Sequence, residues 1–319
     1  MSAPVLPVAP APEAAADTIT QDARPGSPWN ARLKEANRRR RRAQVTGQRP
    51  GWFSYTFLIV VLLASMFPLY WSFLIGSGDA STITRREIVW WPGGNFLSNA
   101  AAVLNDPSVN FWRAIRNSII VSTVVAASVV WFSTLAGFAF AKLRFRGKNG
   151  LLIFVIATMA VPTQLGVVPL FIAMSELRLA GTLGAVILPA IVSAFGVFWM
   201  TQYLSQALPY ELIEAARVDG ASMIRTFWSV ALPAARPAAA MLGLFIFIAT
   251  WTNFFWPFIV LDRQDPTLPV ALSLLQSNWF VDYSIVMAGV LLSTTPLLIL
   301  FAVAGRHLVS GIMQGAVKG

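Results

Sequence analysis

Long runs without a charged residue alternate along the chain with short polar segments. Six such runs stand out: Trp52–Gly76, Asn117–Phe140, Leu151–Met174, Leu183–Tyr203, Pro237–Leu261 and Ser284–Gly305, none containing Asp, Glu, Lys or Arg. A bilayer core about 30 Å thick takes about 20 apolar residues of helix to cross. A helix buried in a soluble core keeps a polar face, and these runs are apolar all round. The pattern predicts an all-α, polytopic membrane protein with six transmembrane helices. It divides the chain into a tail, residues 1–50, and a transmembrane domain, residues 51–319.

Composition agrees. Of 319 residues, 56% are hydrophobic and 12% charged, about half the charged share of a soluble domain. Residues 1–30 are rich in Pro and Ala and are expected to be disordered. The first apolar run begins only at Trp52 and is span-length, which is not the pattern of a cleaved signal peptide.

The formal charge of +10 is explained by where it sits. Arg24, Arg32, Lys34, Arg38, Arg39, Arg40, Arg41, Arg42 and Arg49 precede the first span. Lys142, Arg144, Arg146 and Lys148 follow the second, Arg217, Arg225 and Arg236 the fourth, and Arg306 and Lys318 the sixth. That places 18 cations on one side, against six on the other: Arg85, Arg86, Arg113, Arg116, Arg178 and Arg263. Basic loops stay in the cytoplasm, so both termini are expected there, with the basic tail held at the anionic lipid surface. No aromatic interleaving accompanies the basic run, which argues against nucleic acid as a partner.

Several chemistries are excluded. There is no cysteine and one histidine, His307, so disulfides, Cys-based metal sites and a Ser–His–Asp set are not expected, nor a metal, cofactor or catalytic residue. No GxxxxGK[ST] phosphate loop occurs; active transport would draw its energy from a partner. Proton- and ion-coupled carriers keep ionisable groups within the membrane, and these runs have none. They offer Trp199, Gln202, Trp251, Asn253, Phe254, Phe255 and Trp256. Stacking faces with neutral hydrogen-bonding groups suit an uncharged polyhydroxylated solute, although aromatic residues also gather at membrane interfaces.

The segment from Leu208 to Pro233 is too long and too patterned for a turn. Pro209 suits the first turn of a helix, Glu211 and Glu214 complement its dipole, and Gly220 suits its end. Ser222 is placed to cap a second short helix carrying Ile224, Phe227, Trp228 and Ala231, which Pro233 and Pro237 are expected to close before the fifth span. Ala215 and Ala216 give the first helix a low-relief side beside Glu214.

Glu214-Ala215-Ala216, Asp219-Gly220-Ala221 and Leu232-Pro233 resemble the EAA loop of permease subunits of ATP-binding-cassette importers. The resemblance extends over most of residues 52–319 and is to the maltose and glycerol-phosphate type, second-permease group. It is carried by Phe67-Pro68-Leu69-Tyr70-Trp71, Asn117-Ser118, Phe138 to Gly147, Pro162, Trp251 to Pro257, Thr267-Leu268-Pro269 and Gly315 to Gly319. One departure is Trp251-Thr252-Asn253-Phe254, where the family pattern has Trp-Asn-Asp/Glu-Phe. The resemblance implies that the loop docks in a cleft of the ATPase, through Glu214, Ala215, Ala216, Asp219, Gly220, Ala221, Leu232 and Pro233. It also implies a second permease, two copies of a cytoplasmic ATPase, an extracytoplasmic sugar-binding protein and residence in the cell membrane. Residues 262–283 become candidates for a loop reaching the binding protein. Trp251, Asn253, Phe254, Phe255 and Trp256 are the candidates for the substrate path. A neutral di- or oligosaccharide is the expected solute; a phosphoester or an amino acid handled by the same architecture is the alternative.

Overall fold

The structure, a computed structural model, describes residues 51–81, 90–277 and 281–316, with side chains through 303. The predicted tail, Arg85, Arg86 and the last three residues lie outside the described residues.

Apart from one isolated bridge, Gly181 to Leu261, the described residues form helices and turns. Helix α1 (Trp52–Gly76) coincides with the first apolar run. A short helix not foreseen in the sequence, α2 (Phe96–Asn105), follows. Helix α3 (Phe111–Lys142) overruns the second predicted stretch at both ends, because helical hydrogen bonding continues wherever the backbone can pair.

The third stretch is two helices rather than one. α4 (Lys148–Thr158) and α5 (Val167–Glu176) are separated by a 3-10 turn at Thr163–Gly166, with a bend of 86° across the break. Pro162 lies at the break in an extended conformation; it lacks an N–H and pushes the residue before it away from helix. α6 (Leu183–Ala190) and α7 (Ala194–Ala207) make up the fourth span, α7 being capped by Ser193, whose side chain accepts from the Gly196 N–H.

Beyond them come α8 (Tyr210–Val218), α9 (Met223–Thr226), a π-turn at Phe227–Ala231 and α10 (Leu232–Trp251). α11 (Phe255–Val260), α12 (Leu268–Leu274) and α13 (Tyr283–Ala316) complete the described chain. Five helices are long and apolar enough to cross a membrane, or six if the bent pair is counted as one span.

The helical run does not stop at Pro233 or Pro237: it is continuous from Met223 to Trp251. A π-turn precedes the first proline, the Leu232 N–H reaching the Phe227 carbonyl five residues back, and Pro233 then falls in the first turn of α10, where proline is tolerated. Pro237 lies inside α10 and leaves the Pro233 carbonyl without its helical donor.

The chain divides into two compact units, one through Phe67 and one from Pro68. In its described part the first is the N-terminal portion of α1. In the second, α3 is central and packs along α7 and α10. Val121, Val125 and Val129 of α3 are buried with Met200 and Leu204 of α7 and Leu242 of α10. Backbones approach closely where α3 meets α7: a Cβ on Gly137 would lie 2.6 Å from the Met200 Cβ, and one on Gly196 would collide with Ser133 Oγ. Apolar helices gain little from burial against one another in lipid, so such small-residue crossings and backbone hydrogen bonds carry the association.

Three indoles act as braces between elements. Trp199 Nε1 donates to the Ala238 carbonyl (3.2 Å), Trp251 Nε1 to Ser293 (3.3 Å) and Trp256 Nε1 to Ala185 (3.0 Å). A second apolar cluster joins Val103 of α2, Phe111 and Ala114 of α3, Trp251 of α10, Leu268, Ala271 and Leu272 of α12, and Val286 of α13. Beside it Asn117 Nδ2 donates to the Pro266 carbonyl (3.1 Å), and Ser118 Oγ accepts from the Leu268 N–H (2.8 Å). Two short motifs 150 residues apart are thus one buried joint.

Candidate coupling site

The segment between α7 and α10 is a helical hairpin. Leu208, fully buried, brings the chain out of α7, and Pro209 starts α8 in an extended conformation. The helix ends in a Schellman motif. The Ala221 N–H donates to the Ala216 carbonyl (2.9 Å) and the Gly220 N–H to Arg217 (3.0 Å), while Gly220 takes φ +77, which glycine adopts at no steric cost. One residue on, Ser222 Oγ accepts from the Arg225 N–H (3.3 Å) and caps α9. Both sequence expectations for this segment, the glycine stop and the serine cap, describe its geometry.

The hairpin has two faces. Ile213, Thr226 and Phe227 are buried, and Phe227 sits in an aromatic group with Trp131 (5.8 Å), Phe138 (5.7 Å) and Trp228 (6.0 Å). On the other face Glu214, Ala215, Asp219 and Gly220 are exposed, with Ala216 and Ala221 half-buried. Around them Val218 is 88% and Ile224 74% exposed. Neither Glu214 nor Asp219 has an ion-pair partner among the described residues. Apolar side chains beside unpaired carboxylates, on a turn with almost no relief, form a surface another protein can approach closely. Leu232 and Pro233 are half-buried in the first turn of α10, away from that tip in sequence but in the same helical run as α9.

The five substrate-path candidates separate into two kinds. Trp251 is buried, stacked on Phe247 at 5.7 Å, and its nitrogen is taken by Ser293. Trp256 is tied to Ala185. Asn253, Phe254 and Phe255 are exposed at the turn between α10 and α11, Phe254 stacking on Phe258 at 5.0 Å. Within residues 262–283, α12 is buried along Leu268, Val270, Ala271 and Leu272. Arg113 Nε pairs with Asp265 Oδ1 at 2.6 Å.

Two residues at the hairpin's base escaped the sequence reading. Lys142 counted there only as one loop cation among four, and Tyr210 carried no signal. The available sign was Pro209, which marks the end of α7 and so the open carbonyls of its last turn; Lys142 Nζ donates to one of them, that of Ser205.

A multi-pass helical chain with a capped hairpin between two of its long apolar helices is the setting in which its relatives place it, as a transport permease rather than an enzyme. The chain belongs to the family of binding-protein-dependent transport system inner membrane components, whose profile matches residues 130–314, from the middle of α3 into α13. It is accordingly a multi-pass protein of the cell membrane. It is 32% identical over 272 residues to the arabinooligosaccharides transport system permease protein AraQ of Halalkalibacterium halodurans, covering 84% of this chain and 96% of that protein. It is also 32% identical over 272 residues to the lactose transport system permease protein LacG of Rhizobium radiobacter, covering 84% and 97%. Its fold matches a chain in the crystal structure of a bacterial ABC transporter involved in the import of the acidic polysaccharide alginate. The TM-score is 0.68 at 24% identity, covering 80% of this chain and 95% of that one.

Proposed function

We propose that the chain is one permease of an ATP-driven, binding-protein-dependent importer for a neutral di- or oligosaccharide. In this reading it pairs with a second permease to enclose the solute path. The complex carries two copies of a cytoplasmic ATPase, one of which takes the α8–α9 hairpin into a cleft, and an extracytoplasmic binding protein delivers the sugar. Both termini and the hairpin are cytoplasmic, as the distribution of Lys and Arg argues. Glu214, Ala215, Ala216, Asp219, Gly220 and Ala221 form the docking surface, with Leu232 and Pro233 joining the hairpin to α10. ATP closes the ATPase pair, the hairpin moves with it, and the interface between permeases alternates between outward and inward access.

The observation that carries this reading is the hairpin tip: a low-relief turn with exposed Val218 and Ile224 beside two carboxylates that have no ion-pair partner among the described residues, continuous through α9 and the π-turn with α10. The names of the two relatives, both sugar permeases, support the solute class. Uncharged spans support a neutral solute over a phosphoester. Among the path candidates, Asn253, Phe254 and Phe255 offer one amide and two exposed rings, Phe254 with one face on Phe258; Trp251 and Trp256 would act through the walls they brace.

The test is the ATPase rate of the reconstituted complex with and without sugar-loaded binding protein, for wild type and Glu214→Lys. Stimulation that is present in wild type and lost in a normally inserted Glu214→Lys supports coupling through the hairpin. Equal stimulation in both refutes the docking assignment, and a panel of arabinooligosaccharide, lactose and maltose identifies the solute by the strength of its effect.

A further inference from the structure

Lys142 is the last residue of α3 and only 7% exposed. A buried ammonium is costly unless its charge and its donors are satisfied. Here two groups from different elements meet part of that need, while nearby Lys148 opposes the charge and the Glu211 carboxylate favours it. Its Nζ donates to the Ser205 carbonyl at 3.1 Å and lies 4.8 Å from the centre of the Tyr210 ring. Ser205 belongs to the last turn of α7, where carbonyls lose their helical donors. α7 ends at Ala207 and Leu208 is extended, so no helical N–H four residues on reaches this carbonyl. Tyr210 is the first residue of α8. The lysine therefore supplies a donor to a carbonyl at the open end of α7, and the Tyr210 ring covers it, an attraction that strengthens when the cation is desolvated.

This places one side chain at the meeting point of α3, α7 and α8. Without it the hairpin would be held at its base by the Leu208–Pro209 backbone and the apolar seat of Leu208 and Ile213. Those contacts resist separation but not rotation of α8, because apolar packing is non-directional. A hydrogen bond and a ring contact fix direction.

We propose that Lys142 is a positioning residue for energy coupling: it locks the base of α8 to the ends of α3 and α7, so that displacement of the hairpin moves both spans together. This rests on the coupling role proposed above for the hairpin. Loss of the lock is expected to let the hairpin move while the spans lag. ATP hydrolysis then continues with less solute moved per ATP.

The experiment uses proteoliposomes holding the complete complex, with maltose, lactose and arabinotriose as probe solutes. It reads solute imported per ATP hydrolysed for wild type, Lys142→Met, Lys142→Arg, Tyr210→Leu and Tyr210→Phe. Lys142→Met should lower the ratio about tenfold, the scale of one charge-assisted hydrogen bond, and Tyr210→Leu should lower it less. Lys142→Arg and Tyr210→Phe, which keep the donor and the ring, should stay near wild type. A purely structural lysine would reduce the amount of complex and leave the ratio per complex unchanged; that result, or a Lys142→Arg as poor as Lys142→Met, overturns the proposal. If Lys142→Met does not assemble, the Tyr210 pair decides, and equal ratios for Leu and Phe overturn it. A wild-type complex whose ATPase ignores the binding protein refutes the coupling role itself, and is seen before any variant is compared.

Discussion

Gly220 allows backbone strain to be separated from partner contact. Its φ is +77, and a Cβ built on it meets nothing within 4 Å in this chain. Replacement by Ala therefore carries no clash and only the intrinsic left-handed penalty, about 1 kcal/mol. Asn, which tolerates that region, should cost roughly half as much. Pro cannot reach the conformation and also removes the N–H given to Arg217, about 3 kcal/mol in all. About 1 kcal/mol lowers the ratio of formed to unformed turn some fivefold, and about 3 kcal/mol more than a hundredfold. Binding-protein-stimulated ATPase should then fall in the order Gly, Asn, Ala, Pro, at equal membrane levels of the protein. The chain has no cysteine, so spin labels at Val218→Cys and Ile224→Cys can follow turn closure directly, broadening in the same order. If Asn proves as damaging as Ala, while the labelled distance stays narrow, strain is refuted as the cause: a partner surface must then exclude the side chain itself.

Three other substitutions test the packing. Ser118→Ala strips the acceptor from the buried Leu268 N–H and should cost about 1–3 kcal/mol, read as a lower Tm in detergent and faster proteolysis within residues 262–275. Gly137→Ala must push a Cβ into Met200 and should destabilise by about 1–3 kcal/mol, whereas Gly243→Ala, whose nearest neighbour is a Val130 methyl at 3.4 Å, should be nearly neutral; equal melting shifts would contradict the close crossing of α3 and α7. Asp265→Asn breaks a pair whose side chains are 42% and 38% exposed, so the change should be under about 1 kcal/mol and vanish at high salt.

The membrane class and most span positions were legible in the chain because lipid imposes a one-dimensional requirement: about 20 uncharged residues in a row. α1 follows that rule to the residue. The hairpin was legible for a different local reason. Pro209, Gly220 and Ser222 act on their own backbone neighbours, and capping chemistry is written within a few residues.

What failed did so where non-local or cumulative effects decide. Pro233 and Pro237 read as stops, but the first falls in the opening turn of α10 after a π-turn and the second is carried inside that helix, so the run is continuous from Met223 to Trp251. The third apolar run satisfies the length rule and still breaks at Pro162 with an 86° bend, since hydropathy carries no information on backbone direction. α2 is too short to register by length and is defined by its contacts, Val103 being fully buried.

The sequence by itself determined that this chain lives in a membrane, which runs are long and apolar enough to cross it, and where a capped hairpin interrupts them. Only the tertiary structure decided which polar groups meet: Asn117 and Ser118 with residues 266 and 268, the indoles with carbonyls of neighbouring helices, and Lys142 with Ser205 and Tyr210. Burial and capping depend on residue type and local spacing, which a sequence displays. Pairing across spans depends on which helices become neighbours, and that follows from close crossings such as Gly137 against Met200, set by the packing of the whole.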